Sequence, residues 1–254
     1  MSEFFDGVKQ WEFDWEGRKG KLPVFYYDNT TLNAIFTAST RAVKPLLPHQ
    51  DMRPIELFPG RCLAAFTCFE YRKTDIDPYN EVSVSFPITF GKPSIPGLTA
   101  AFQMARRHFT TFVWQLPVTT EVARVGGVEL YGYPKFLADI DFVRDARTIR
   151  CDLSENGDKI LSLEGAVLPT QRGGVNRYVS YTIKDDIPLA VNVYQNPIEL
   201  GQSRRRGDAR LSLGTSHPIA AALGSLKLSD HPILYQYCPV NEAILFAGRN
   251  LIDD

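Results

Sequence analysis

Cysteine is scarce in this chain: Cys62, Cys68, Cys151 and Cys238 are the only four in 254 residues. That is too few for a disulfide-stapled scaffold, and the spacing is not that of a zinc site. They read as reduced, buried thiols of a cytosolic protein. The four histidines, His49, His108, His217 and His231, are scattered, with no pair at metal-ligand spacing. No apolar run approaches the roughly 18 residues of a spanning helix. The opening Met1-Ser2-Glu3-Phe4-Phe5-Asp6 has no basic region followed by an apolar stretch, as expected of a chain that is not secreted. An excess of either charge is also missing. With 28 Lys and Arg against 29 Asp and Glu, the net charge of −1 gives no footing for nucleic acid or an anionic membrane as partner.

What is present is core material. Apolar residues make up 44% of the chain and aromatics 12%, enough for a substantial interior. No repeat or low-complexity linker divides it, so a single domain over 1–254 is expected. Residues 1–21, studded with Trp11, Phe13 and Trp15, form a candidate N-terminal arm that packs on the body or on a partner.

From about Leu22 onward, apolar and turn-rich segments alternate at the short spacing of a β-rich fold. Val82 to Phe90 is the clearest strand, with Val82, Val84, Phe86, Ile88 and Phe90 alternating with Ser83, Ser85, Pro87 and Thr89. Pro87 suggests an edge or a bulge there. Asn156-Gly157, between Thr148–Leu153 and Lys159–Leu163, signals a tight hairpin. Other strands are expected at Cys62–Phe69, Phe109–Leu116, Leu137–Phe142, Asn176–Ile183, Leu189–Val193, Ile233–Tyr237 and Ala243–Phe246. Short helices are expected at Leu98–Arg107, with Leu98, Phe102 and Ala105 on one face, from Thr119 or Thr120 to the Gly126-Gly127 pair, from Ser216, and over Ser39–Lys44. The fold class is therefore mainly β (α+β), a barrel or sandwich with helical decoration.

Several familiar constellations fall short. Gly214-Thr215-Ser216-His217-Pro218 lacks the final glycine of a nucleophile elbow. Gly126-Gly127 and Gly132 make no phosphate loop. Arg204-Arg205-Arg206 reads most simply as a solvated loop.

Glu129-Leu130-Tyr131-Gly132-Tyr133-Pro134-Lys135-Phe136 is different. It sets one lysine among aromatic and apolar neighbours just before a strand-like run. Lysine is the side chain suited to carbonyl chemistry without a cofactor, because its neutral amine forms a Schiff base. This E-x-x-G-Y-P-K run resembles the active-site segment of the acetoacetate decarboxylase family. Pro78-Tyr79-Asn80-Glu81-Val82 is similar to that family's glutamate-bearing segment, and the order of motifs from Leu22-Pro23 through Leu46-Leu47-Pro48 also fits. The resemblance covers roughly residues 22–247. It implies an antiparallel β-barrel of cone-like sheets, a homo-oligomer and no cofactor or metal. It also implies a keto-acid substrate, with Lys135 and Glu81 catalytic; Tyr131 and Tyr133, beside the lysine, are candidate substrate-binding residues able to relay protons.

Two departures stand out. The family's second lysine, directly after the catalytic one, is Phe136 here. Its upstream arginine aligns with Thr37, with Arg41 nearby in another register; Arg41, Arg106, Arg107 and Arg124 remain open as carboxylate holders. The resemblance implies decarboxylation of a β-keto acid such as acetoacetate. Aldolase-dehydratase chemistry on a pyruvate-like acid and an aldehyde is the alternative found in related subgroups. A non-catalytic barrel with Lys135 as counter-ion is the reading outside enzymology.

A free lysine titrates near about 10.4, so amine chemistry at neutrality needs the ammonium form disfavoured. Without a second cation, burial is the means left to this segment. A carboxylate against the amine would oppose it. Glu81 is thus expected to be protonated beside it or to stand off facing the substrate, unless it is merely a surface residue.

Overall fold

The computed structural model describes residues 2–15 and 18–252. Met1, Glu16 and Gly17 of the expected arm lie outside the described residues. In chain order the strands are β1 (Trp11–Trp15), β2 (Arg18–Leu22), β3 (Val24–Ser39), β4 (Met52–Pro54), β5 (Glu56–Phe58), β6 (Arg61–Thr74), β7 (Tyr79–Phe90) and β8 (His108–Gln115). They continue as β9 (Asp139–Arg144), β10 (Thr148–Glu155), β11 (Asp158–Ala166), β12 (Asn176–Lys184), β13 (Ile187–Ser203), β14 (Ala209–Leu213) and β15 (Leu234–Asn250). Four short helices interrupt them: α1 (Thr40–Val43), α2 (Leu98–Arg106), α3 (Glu121–Tyr131) and α4 (Pro218–Ser225).

Seven strands close a barrel in the order β7-β8-β12-β13-β15-β3-β6, with β6 paired back onto β7. Closure removes the open edges a sheet this size would otherwise carry. One seam departs from the antiparallel expectation: β8 and β12 run parallel, Phe109 opposite Tyr178 and Thr111 opposite Ser180. A second, four-stranded sheet, β14-β11-β10-β9, packs on the outside of the wall.

The period-two pattern of β7 sorts its residues between two interiors. Val82, Val84, Phe86 and Ile88 point outward and are at most 1% exposed. They pack with Phe66 and Cys68 of β6 against Ile140, Ile149, Cys151 and Leu153 of the second sheet. Glu81, Ser83, Ser85 and Pro87 point into the lumen. Pro87 lies where β7 changes partner, after Ser85 pairs with Ala65 of β6 and before Ile88 pairs with Pro54 of β4. Its missing N–H costs no ladder bond to either strand, and its carbonyl accepts from Ile55 N.

The Asn156-Gly157 hairpin forms as expected, with both residues at positive φ. Ile233–Tyr237 and Ala243–Phe246 turn out to be one strand, β15, whose pairing with β3 slips around Cys238, Asn241 and Ala243. Leu189–Val193 is likewise a fragment of the 17-residue β13. Helix α4 takes His217 rather than Ser216 as its N-cap, the imidazole accepting from Ile219 N. The apolar face of α2 is turned outward: Leu98 is 66% and Phe102 56% exposed. Ala100, Gln103 and Met104 of α2 face the barrel mouth instead.

Near the N-terminus, Phe5 packs on Phe25 and Tyr27. Gln10 donates to Pro23 O and Asp75, and the β1–β2 hairpin follows.

Candidate active site

The lysine segment is laced to the glutamate strand through an intermediary. Residues 116–119 lie alongside β7: Val82 N donates to Pro117 O, and Thr119 N to Asn80 O. On their other side runs the segment holding Lys135. Leu116 N donates to Pro134 O, Val118 N to Phe136 O, and Ala138 N to Val118 O. Two rows of backbone hydrogen bonds thus fix Lys135 relative to Glu81, 54 residues apart in sequence.

Helix α3 prepares the approach. Gly132, at φ +65°, ends the helix in the left-handed region, where a Cβ would strike Ile183 O. The helix runs straight through Gly126-Gly127, and Gly127 has a packing reason to lack a side chain. A methyl there would fall inside the van der Waals radii of Lys135 Cδ and Cε. The lysine stem lies across bare helix backbone.

Its amine ends 2.7 Å from Glu81 Oε2, and the two side chains are only 7% and 8% exposed. The surface reading of Glu81 is therefore overturned, and so is the reading in which it stands off from the amine. The cause is register: Glu81 bridges Val118, which bridges Leu137, so both side chains enter the same end of the lumen. Lys135 Nζ donates to Glu81 Oε2, so a single proton transfer along this hydrogen bond would convert ammonium–carboxylate into amine–carboxylic acid.

Tyrosines floor the barrel around this pair. Tyr71 donates to Glu81 Oε1 at 3.4 Å, Tyr26 and Tyr79 hydroxyls lie 3.3 Å apart, and Lys135 Nζ sits 5.5 Å from the centre of the Tyr79 ring. Burial, and after it the Glu81 carboxylate, pushes the hydroxyls of Tyr26, Tyr71 and Tyr79 well above their ordinary value. Tyr133 is raised mainly by burial as well, so these phenols stay protonated. Sequence reasoning missed Tyr26, Tyr71 and Gly127. Only Tyr79 carried a signal, two residues before Glu81 on one strand face.

Of the two tyrosines expected at the substrate, Tyr133 lines the cavity. Tyr131 is not among the lining residues; it is 2% exposed and packs on Tyr133 at 5.8 Å between ring centres. Phe136, in place of a second lysine, packs on the core between the sheets. Thr37 accepts a hydrogen bond from Arg61 towards the other end of β3. Arg124 pairs with Glu121, Arg106 stacks on Phe102, and Arg41 is exposed on α1. Arg107 alone of the four reaches the cavity wall, at the mouth.

The cavity is about 670 Å³. It runs from Lys135, Glu81 and the tyrosines up the lumen to α2. No group of three or more His, Cys, Asp or Glu is placed to hold a metal among the described residues.

The model of the acetoacetate decarboxylase family matches residues 16–234. The chain belongs to this family. Solved structures of similar fold include an acetoacetate decarboxylase from Legionella pneumophila at TM-score 0.65 and 14% identity, covering 90% of this chain and 87% of that one. The enduracididine biosynthesis enzyme MppR, in complex with the condensation product of pyruvate and imidazole 4-carboxaldehyde, superposes at TM-score 0.63 and 13% identity over 90% and 89%. An acetoacetate decarboxylase-like enzyme from Sphingomonas wittichii RW1 does so at 0.61 and 13% over 94% and 97%. No curated protein matches the chain in sequence. Family membership agrees with the closed barrel and its few short helices, while the members' activities vary.

Proposed function

We propose that this family member is a Schiff-base-forming lyase that decarboxylates a β-keto acid through an iminium on Lys135. The observation that carries the reading is the enclosed Lys135–Glu81 contact opening onto a substrate-sized cavity. In a low-dielectric site an ion pair gains little over its neutral form, because both charges have lost their water. Transfer of the Lys135 proton to Glu81 therefore generates the nucleophilic amine without leaving an isolated buried charge. This is the role a second cation would otherwise share.

The amine attacks the ketone carbon, and the carbinolamine formed loses its hydroxyl as water after taking a proton from Glu81. The iminium then draws in the electron pair of the bond to the carboxylate, releasing CO2 and leaving an enamine. Protonation at carbon and attack by water return a ketone and free Lys135. Apart from Lys135 and Glu81, the lining at this end of the lumen is uncharged, which favours conversion of the leaving carboxylate to neutral CO2.

A second reading, aldol addition of a pyruvate-derived enamine to an aldehyde followed by dehydration, is favoured by the size of the cavity, which accepts a second reactant. The likeness to MppR lends it support. The third is a ligand-binding barrel without turnover.

Incubation with acetoacetate or pyruvate and borohydride, followed by intact-mass measurement, separates catalytic from binding readings. We expect one adduct per chain, and CO2 release with acetoacetate. Aldehyde-dependent growth of absorbance without CO2 would transfer the assignment to the aldolase-dehydratase. No adduct with either acid would leave the binding protein.

A further inference from the structure

The placement of cations along the lumen bears on the substrate's shape. Among the described lining residues the only Lys, Arg or His side chains are Lys135 on the floor and Arg107 and Arg204 at the opposite end, and the only acid is Glu81. Arg107 follows α2 and precedes β8, whereas Arg204 follows β13, so two separate elements deliver them to the mouth. Neither pairs with a carboxylate among the described residues; Arg107 donates to the backbone oxygen of Gly174 at 3.2 Å. The guanidinium lies tight against Gly174, where an added Cβ would come within 2.8 Å of its central carbon. Arg107 is therefore held in place by backbone, with its charge unspent.

Between floor and mouth the wall is uncharged but not apolar. Asn33, Gln236 and Thr67 form a hydrogen-bonded cluster across β3, β15 and β6, Asn33 Nδ2 donating to Gln236 Oε1 at 2.8 Å and Thr67 to Asn33 at 3.2 Å. From Glu81 to Pro87 the lumen face of β7 covers about 20 Å of strand, or roughly 15 Å along the axis of a tilted barrel. The 670 Å³ it encloses falls within the range of about 300–1,000 Å³ that takes drug-sized ligands. A four-carbon keto acid would fill one end.

The geometry points to an elongated substrate with its carbonyl at Lys135, a hydrogen-bonding chain along the lumen, and a remote anionic group met by Arg107 and Arg204. This inference rests on the Schiff-base reading for the orientation of the carbonyl. The anionic mouth stands on its own geometry.

The test uses methyl ketones bearing an ω-carboxylate, from levulinate upward in chain length, against the uncharged methyl ketones of equal length. The concentration giving half-maximal borohydride-trapped adduct is read by intact mass, and calorimetry reads binding without trapping. We expect the carboxylate to lower that concentration about tenfold once the chain spans the lumen, and to do nothing in levulinate. The double variant Arg107→Gln, Arg204→Gln should bring the long-chain ratio to about one, with folding checked by thermal melting. A preference independent of chain length, or one that survives the double variant, would overturn the inference. Trapping of every ketone without any carboxylate preference would sink the remote anion alone. Carboxylate-dependent calorimetric binding without any adduct would sink the Schiff-base reading and leave the anionic mouth standing.

Discussion

The barrel wall separates two interiors made from the same strands. Outside it, between the wall and the four-stranded sheet, Phe66, Val82, Phe86, Ile149 and Leu163 pack at no more than 1% exposure. Inside it, the alternate residues of the barrel strands line a cavity and carry hydroxyls, amides and Glu81, which pairs with Lys135 from the segment after α3. Small closed barrels commonly fill their interior with side chains. Here the main apolar core has moved to the outer face, and the lumen is free to hold a ligand. One consequence is that stability and chemistry should separate by the parity of a residue along β7.

Lys135→Ala is expected to have the largest effect. It should abolish adduct formation and, by leaving Glu81 buried without its partner, cost about 3–5 kcal/mol; intact mass and chemical denaturation measure the two. Glu81→Gln keeps the shape but cannot accept the amine's proton. A loss of about 10²–10⁴ in the rate of adduct formation is expected, read by timed borohydride quenching.

The sharpest division of the two interiors compares neighbours. Phe86→Ala should lower stability by about 3–5 kcal/mol through a cavity in the outer core. Ser85→Ala, one residue away on the lumen face, should change it by no more than about 0.5 kcal/mol. Urea midpoints decide this, and equal losses would show that the lumen face also carries the fold. Gly127→Ala comes next. Its methyl overlaps the lysine stem, and a displacement of the amine by about 1 Å is expected to slow adduct formation roughly 10²-fold. Its secondary structure should be unchanged by circular dichroism.

Much of this division was legible in the sequence. The alternation from Val82 to Phe90 announced one apolar and one polar face, and the polar face lines the lumen. The aromatic frame around Lys135 announced a buried amine. Register was not legible. The contact between Glu81 and Lys135 arises because residues 116–119 bridge their two segments, and no local pattern encodes that. Tyr26 and Tyr71 reach the floor by barrel closure, which depends on pairings more than 40 residues apart. Helix α2 misled in another way: its period marks a helix, but its apolar face looks to solvent, since periodicity reports a stripe and not what covers it. The pair of short strands near the C-terminus merged because irregular pairing around Cys238–Ala243 masks a continuous β15.

The most direct measurement is the position of the trapped carbon. After reduction with borohydride in the presence of acetoacetate, trypsin should fail to cleave at a modified Lys135. The peptide from Val125 to Arg144 should then appear intact, carrying the added mass. Full cleavage at Lys135 with the label on another lysine, or no label at all, would contradict Schiff-base chemistry at this amine.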